Sequence, residues 1–143
     1  MSTPQRNDAC VIAVDPSVAG ILRLQTLAVL EANHHHFEDL RELRPEEQHA
    51  LLVLYRDAFA VLDALGWAAV ASVAVDVPLT AGHAEQLRRC HADLVETNHD
   101  RRAALATAAD PEARRAIRAD IAADRAAADA LVHLLAALSA RTR

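Results

Sequence analysis

The chain has 143 residues and a formal net charge of −5; 52% of its residues are apolar and only 3% are aromatic. This length fits one domain with a buried core, and the acidic balance argues against a general binder of nucleic-acid phosphates, which needs clustered basic side chains. The longest uncharged stretch, 64–75, is too short to span a bilayer, and the first ten residues lack the basic-then-apolar plan of a signal peptide.

Capping residues and prolines mark the starts of four predicted helices. Asp15-Pro16 and Asp110-Pro111 each place an N-cap acceptor before a proline at the first helical position. Thr80 can cap another helix, and the carboxylates that follow Pro45 favour a helix start there. The predicted helices cover residues 16–43, 45–66, 81–108 and 111–139.

The connections near residues 44 and 109 are short, so each predicted pair of helices forms an antiparallel hairpin. The expected fold is all-α, an antiparallel four-helix bundle made of two similar helical hairpins in a single domain, 1–143. Hairpin one covers 16–66 and hairpin two covers 81–139, with flexible ends at 1–9 and 140–143. The linker 67–80 is compatible with helix, strand or loop.

The two hairpins repeat the same spacing of apolar residues. Leu22, Val29, Asn33 and Leu40 in the first predicted helix recur at an offset of 65 as Leu87, Leu94, Asn98 and Leu105. The second and fourth helices match at an offset of 66. Steps of three, four and seven residues keep side chains on one helical face, so these positions predict the seams that face the core.

Polar residues within these seams are the candidates for a site inside the bundle. They are Asn33, Asn98 and Asp124, with His91 beside the seam. A buried carboxylate needs a partner, and Asn98 is the first choice for Asp124, with Asn33 or His91 next. The main interpretation is a polar layer that fixes the register of the helices. The alternatives are a small pocket for a cofactor or ion, or an Asp124 that reaches solvent.

Glu-x-x-His occurs in EANHHHFE and again in ETNH, and di-metal helix bundles use this spacing to present two ligands. The candidate ligands for a divalent transition metal are Glu31, His34, His35, Glu38, Glu96 and His99. Because each residue turns a helix by about 100°, both first glutamates are expected to point away from the seam and the histidines to lie at its flank. The main interpretation is therefore a titrating surface strip.

Arginines of the third and fourth helices alternate with acids, and this pattern is interpreted as a solvated face of mixed charge. Cys10 and Cys90 form no C-x-x-C motif, so a reduced, cytoplasmic setting is expected.

No Gly-rich phosphate loop or nucleophile motif occurs in the chain, so an enzyme is the less favoured interpretation. The sequence favours a protein–protein interaction module, such as a regulator, an adaptor or a chaperone-like protein. An additional apolar stripe, Leu24, Leu27 and Ala28, suits a protein partner or a homodimer. The alternative is a metal- or cofactor-binding four-helix bundle with di-metal chemistry of the ferritin type. Neither nucleic acid nor membrane is an expected partner.

Overall fold

The computed structural model describes residues 9–141, and this part of the chain is predominantly helical. The helices are α1 (Pro16–Ala32), α2 (His34–Glu38), α3 (Pro45–Leu65), α4 (Ala81–Thr107) and α5 (Pro111–Arg141), with short 3₁₀ turns at Leu40–Glu42 and Ala68–Val70. The expected helix starts at residues 16, 45, 81 and 111 are confirmed. Of the flexible ends expected at 1–9 and 140–143, residues 1–8 and 142–143 lie outside the described residues, and α5 extends to 141 instead of 139.

Two short strands accompany the helices, which the all-α prediction did not include. Strand β1 (Cys10–Val14) and strand β2 (Val75–Leu79) form an antiparallel two-stranded sheet, with Ile12 opposite Val77 at its centre. Val77 and Leu79 are fully buried while Asp76 and Pro78 are exposed, the alternation expected of a strand with one face on a core. The linker 67–80 therefore contains a 3₁₀ turn and a strand.

The first predicted helix, 16–43, is interrupted at Asn33. The Asn33 side-chain Nδ2 donates to the Val29 carbonyl oxygen at 2.8 Å, and the Asn33 backbone N–H donates to the same oxygen at 3.2 Å. Asparagine side chains compete with the backbone for such acceptors, which disfavours continued helix. The helix therefore gives way to α2 and a 3₁₀ turn before α3 begins.

Helices α1 and α4 lie at the centre of the packing. They contact one another, and each of them also contacts both α3 and α5. The sheet packs against the same core, which consists of aliphatic side chains and two cysteines. Its largest fully buried apolar members are Leu22, Leu65, Leu79, Leu87, Leu94 and Leu131.

The elements of the two halves follow one another with the same spacing. Helices α1 and α4 begin 65 residues apart, α3 and α5 begin 66 apart, and a strand precedes α1 and α4 alike. The offset of 65 carries Ile12 onto Val77, and these two residues are paired in the sheet. Where α1 meets α4, the hydroxyl of Thr26 lies 3.5 Å from the Cys90 sulfur.

Within residues 9–141, no helix combines the length and apolar character that crossing a membrane requires.

Candidate functional site

Asp124 is a buried acid between α4 and α5. Only 5% of the residue is exposed. Its Oδ2 lies 3.0 Å from Nη1 of Arg101, which also lies 3.7 Å from the Asp120 carboxylate. The Arg101 contact has the distance of an ion pair but not the alignment of a hydrogen bond, so Oδ2 is buried without a hydrogen bond among the described residues. Such an atom is costly in a folded protein and marks a place where a donor is wanted.

The surroundings of Asp124 raise the pKa of its carboxyl group above the ordinary value. Burial raises it most, Arg101 acts to lower it, and the negative charge of Asp120 raises it further. Burial acts in this direction because a carboxylate loses solvation when it leaves water. The charged form of Asp124 is therefore less favourable than that of an aspartate in water.

A cleft of about 320 Å³ lies beside this carboxyl group, between α4 and α5. It has an apolar part from aliphatic side chains and a polar part from Asp124, one amide, one imidazole and two guanidinium groups. The lining residues are Leu94, Val95, Asn98, His99, Arg102, Asp124, Arg125 and Ala128. Three sequence-predicted candidates, Asn98, His99 and Asp124, thus meet in one cleft.

The polar candidates do not form one layer. Nδ2 of Asn98 donates to the Ile121 carbonyl oxygen at 3.2 Å, across the α4–α5 contact. The expected pairing of Asn98 with Asp124 is replaced by the ion pair of Asp124 with Arg101, whose longer side chain reaches the carboxylate. Asn33 bonds within its own helix, near a separate cavity, and His91 is half-buried.

The metal candidates lie on the surface in two groups. His34 Nε2 is 2.9 Å from Glu38 Oε1, and both side chains are about two-thirds exposed. Glu31 and His35 are also exposed, as are Glu96 and His99 on α4. Across residues 9–141, no three His, Cys, Asp or Glu side chains gather as a metal would require.

The arginines are the residues that sequence reasoning misjudged. Arg101 was assigned to a solvated face, yet only 34% of its side chain is exposed and it pairs with Asp124. A second buried acid, Asp57, was not singled out; it contacts Arg56 at 3.2 Å and, across the α3–α4 contact, Arg89 at 3.8 Å. Both acids lie among apolar residues in the sequence, and this pattern could have marked them as buried. Which arginine pairs with each acid depends on how far the arginine side chain extends.

An exposed aromatic surface lies on the other half of the molecule. Phe37 stacks on Tyr55 with ring centroids 4.8 Å apart, and Phe59 lies 6.2 Å from Tyr55. The Tyr55 hydroxyl donates to the Leu30 carbonyl oxygen at 3.0 Å, which ties α3 to α1. We define the aromatic face as these three rings with the exposed aliphatic side chains beside them: Leu27, Phe37, Leu52, Tyr55 and Phe59.

Some residues of the cleft and of the aromatic face correspond by sequence offset. With offsets of 65 and 66, Arg102 corresponds to Phe37 and Arg125 to Phe59. Asp124 corresponds to Ala58, which is fully buried. These positions are therefore apolar in the first half of the chain and charged in the second.

No family model, curated protein or solved structure matches the chain.

Proposed function

We propose that this chain is a protein–protein interaction module, an antiparallel four-helix bundle of two similar hairpins that binds through its aromatic face. The single observation that carries this proposal is the placement of the aromatic residues. The chain has four of them, Phe37, Tyr55, Phe59 and Trp67, and none belongs to the buried core.

Aromatic side chains contribute large apolar areas when they are buried, so a core normally uses them. Here Phe59 is 58% exposed and Leu52 is 48% exposed. The two residues lie on the same face of α3, about two turns apart. Leu27 lies one turn before Leu30 on α1, and Phe59 lies one turn after Tyr55 on α3. Because the Tyr55–Leu30 hydrogen bond joins the two helices close to these positions, we infer that the side chains form one surface. Exposed aromatic residues in such a patch are typical of binding hot spots.

The occupant that we assign to this face is a second copy of the chain. Glu31 is exposed on α1, four residues after Leu27, and Arg56 is exposed on α3, four residues after Leu52. The face thus carries an acid on one helix and a base on the other. A twofold-related copy would bring Glu31 opposite Arg56, so the charges are self-complementary.

Native mass spectrometry and sedimentation equilibrium of the untagged protein test this assignment. We expect a dimer whose dissociation constant rises at least about tenfold in Phe59→Ser, because a buried aromatic side chain is lost from the interface. Val132→Ser is the matched control, since Val132 is also exposed but lies on α5. Its dissociation constant should stay unchanged.

Charge-reversal variants test the proposed pairing of Glu31 with Arg56 across the dimer. Glu31→Arg and Arg56→Glu should each weaken the dimer, and the double variant should recover most of the loss because the opposite charges are restored in exchanged positions. A wild-type protein that stays monomeric at micromolar concentration, or a double variant weaker than both single variants, would contradict the assignment.

The alternative function is binding of a divalent transition metal in a cofactor-binding bundle. It is supported by the contact between His34 and Glu38, because zinc is bound by imidazole and carboxylate groups. His35 lies on the same helical turn. The same native mass spectra distinguish the alternatives. A stoichiometric metal that is lost in His34→Ala would favour the metal-binding function over the interaction module.

A further inference from the structure

The α4–α5 cleft has no residue in common with the aromatic face. We propose that the cleft binds a small carboxylate anion that bears a hydroxyl or ammonium group next to the carboxylate. The arginines of the cleft bind the carboxylate, and Asp124 accepts a hydrogen bond from the hydroxyl or ammonium group.

The acceptor is Asp124. Its side chain is more than nine-tenths buried and lines the cleft. Oδ2 is enclosed against Nη1 of Arg101, 3.0 Å away, which leaves Oδ1 as the oxygen that a ligand in the cleft can reach. The residue that corresponds to Asp124 by sequence offset is Ala58, which is fully buried. A ligand donor would give this carboxylate a hydrogen bond that the described residues do not supply.

The charge of the ligand follows from the surrounding side chains. Arg102 and Arg125 line the cleft, and Arg101 lies against Asp124. Among the residues that line the cleft, Arg102 and Arg125 are basic and Asp124 is acidic, so two positive charges face one negative charge. This excess disfavours a bare metal cation and favours an anion. Guanidinium groups bind carboxylates through paired hydrogen bonds, which makes a carboxylate a suitable anion here.

The size of the ligand follows from the cleft. Its volume of about 320 Å³ is at the lower end of the range for small-molecule pockets. Leu94, Val95 and Ala128 supply an apolar side against which a short carbon chain can pack. A four-carbon acid suits this combination of a small volume, two guanidinium groups and one acceptor.

Three probes separate the features of the proposal: succinate, L-malate and L-aspartate. They share one four-carbon dicarboxylate skeleton and differ at one carbon, which carries hydrogen, hydroxyl or ammonium. We expect malate and aspartate to bind at least about tenfold more tightly than succinate, because only they donate to the charged acceptor Asp124. Isothermal titration calorimetry gives the affinities, and amide chemical shifts along α4 and α5 locate the site.

Variants assign each part of the recognition. In Asp124→Ala, which introduces the residue of the equivalent position Ala58, the preference for malate over succinate should fall to near one. Arg102→Gln should weaken all three probes by similar factors. Arg88→Gln is the control, because Arg88 pairs with Glu85 elsewhere on α4, and it should bind like the wild type.

Equal binding of the three probes by the wild type would overturn the proposal, and so would the absence of binding at millimolar concentration. Should Asp124→Ala fail to fold, the wild-type preference and the Arg102→Gln series still decide the outcome. Shifts confined to residues outside the cleft would also overturn the assignment.

Discussion

Two aspartates illustrate how local environment sets the behaviour of a side chain. Asp15 is exposed at the start of α1, where its Oδ1 accepts hydrogen bonds from the Ser17 backbone N–H and hydroxyl at 2.9 and 2.7 Å. Those bonds lower the pKa of Asp15, the side-chain bond most, because they stabilise the charged form. Burial raises the pKa of Asp124. Folding therefore shifts the pKa values of the two residues in opposite directions.

The pH dependence of unfolding tests this contrast. The raised pKa of Asp124 means that the folded state binds its proton more tightly, so this contribution is fully present below the unfolded-state pKa of about 4 and is lost as pH rises through the folded-state pKa. We expect the free energy of unfolding of the wild type, relative to Asp124→Asn, to increase as pH falls towards 4. Urea titrations at several pH values measure it.

Asp15→Asn is the comparison with the opposite sign. The lowered pKa of Asp15 stabilises the folded state above the unfolded-state pKa, and this contribution is lost as pH falls through the folded-state pKa. The advantage of the wild type over Asp15→Asn should therefore shrink on acidification. The same trend in both variants would show that the burial of Asp124 does not control its ionisation.

Much of the candidate cleft could be predicted at the level of single residues. Asp124 and Asn98 were identified by their places in the apolar seams, since helical periodicity determines which side a residue faces. Arg101 could not be assigned in this way. It lies three residues after Asn98, and a long side chain can turn either towards solvent or back along the helix, so only packing selects the partner.

At the scale of elements, capping residues predicted the helix starts while the strands went unpredicted. Asp15, Thr80 and Asp110 precede α1, α4 and α5, as expected from their side-chain acceptors. The strands have five residues each, and a two-stranded ribbon is marginal without a core to cover it. Val75–Leu79 forms a strand because its alternate residues fill the same apolar core as the helices.

The start of α4 provides a test at this scale. The Thr80 backbone N–H donates to His83 Nδ1 at 2.9 Å, and the Thr80 hydroxyl lies 3.1 Å from the same nitrogen. Thr80→Ala should lower the free energy of unfolding by about 1 kcal/mol, the usual cost of losing an N-cap side chain. Chemical denaturation followed by circular dichroism measures the change.

Thr107→Ala is the matched control, because the Thr107 hydroxyl donates to the Ala104 carbonyl oxygen at the exposed end of the same helix. It should change the free energy of unfolding by no more than about 0.5 kcal/mol. Equal effects of the two substitutions would argue against a capping role for Thr80.

For the whole molecule, the sheet joins the two halves of the chain. β1 precedes α1 and β2 precedes α4, and the two strands pair around Ile12 and Val77. The aromatic face and the charged cleft have no residue in common. The proposed binding of a second copy and the proposed binding of a small anion would therefore use different residues.

The dependence of the whole fold on the sheet can be measured with Leu79→Ala. Leu79 is fully buried and belongs to the main core. The substitution should lower the free energy of unfolding by about 2–5 kcal/mol, the range for large-to-small changes in a core. Helical circular dichroism and Trp67 fluorescence should report the same midpoint if the sheet and helices unfold together.

Val73→Ala serves as the control, because Val73 precedes β2 and is 70% exposed. Its effect should stay within about 0.5 kcal/mol. A Leu79→Ala variant as stable as this control would mean that the sheet adds little to the cohesion of the molecule.

The sequence by itself determined the helical character and the helix starts, because periodicity and capping depend on residues close together in the chain. Only the tertiary structure decided that residues 10–14 and 75–79 pair, that Arg101 reaches Asp124, and that three of the four aromatic side chains gather on one face. Those contacts join residues distant in sequence, and they depend on which groups the packing leaves buried. The same physical difference explains why Asp124 was recognised early but its partner was not.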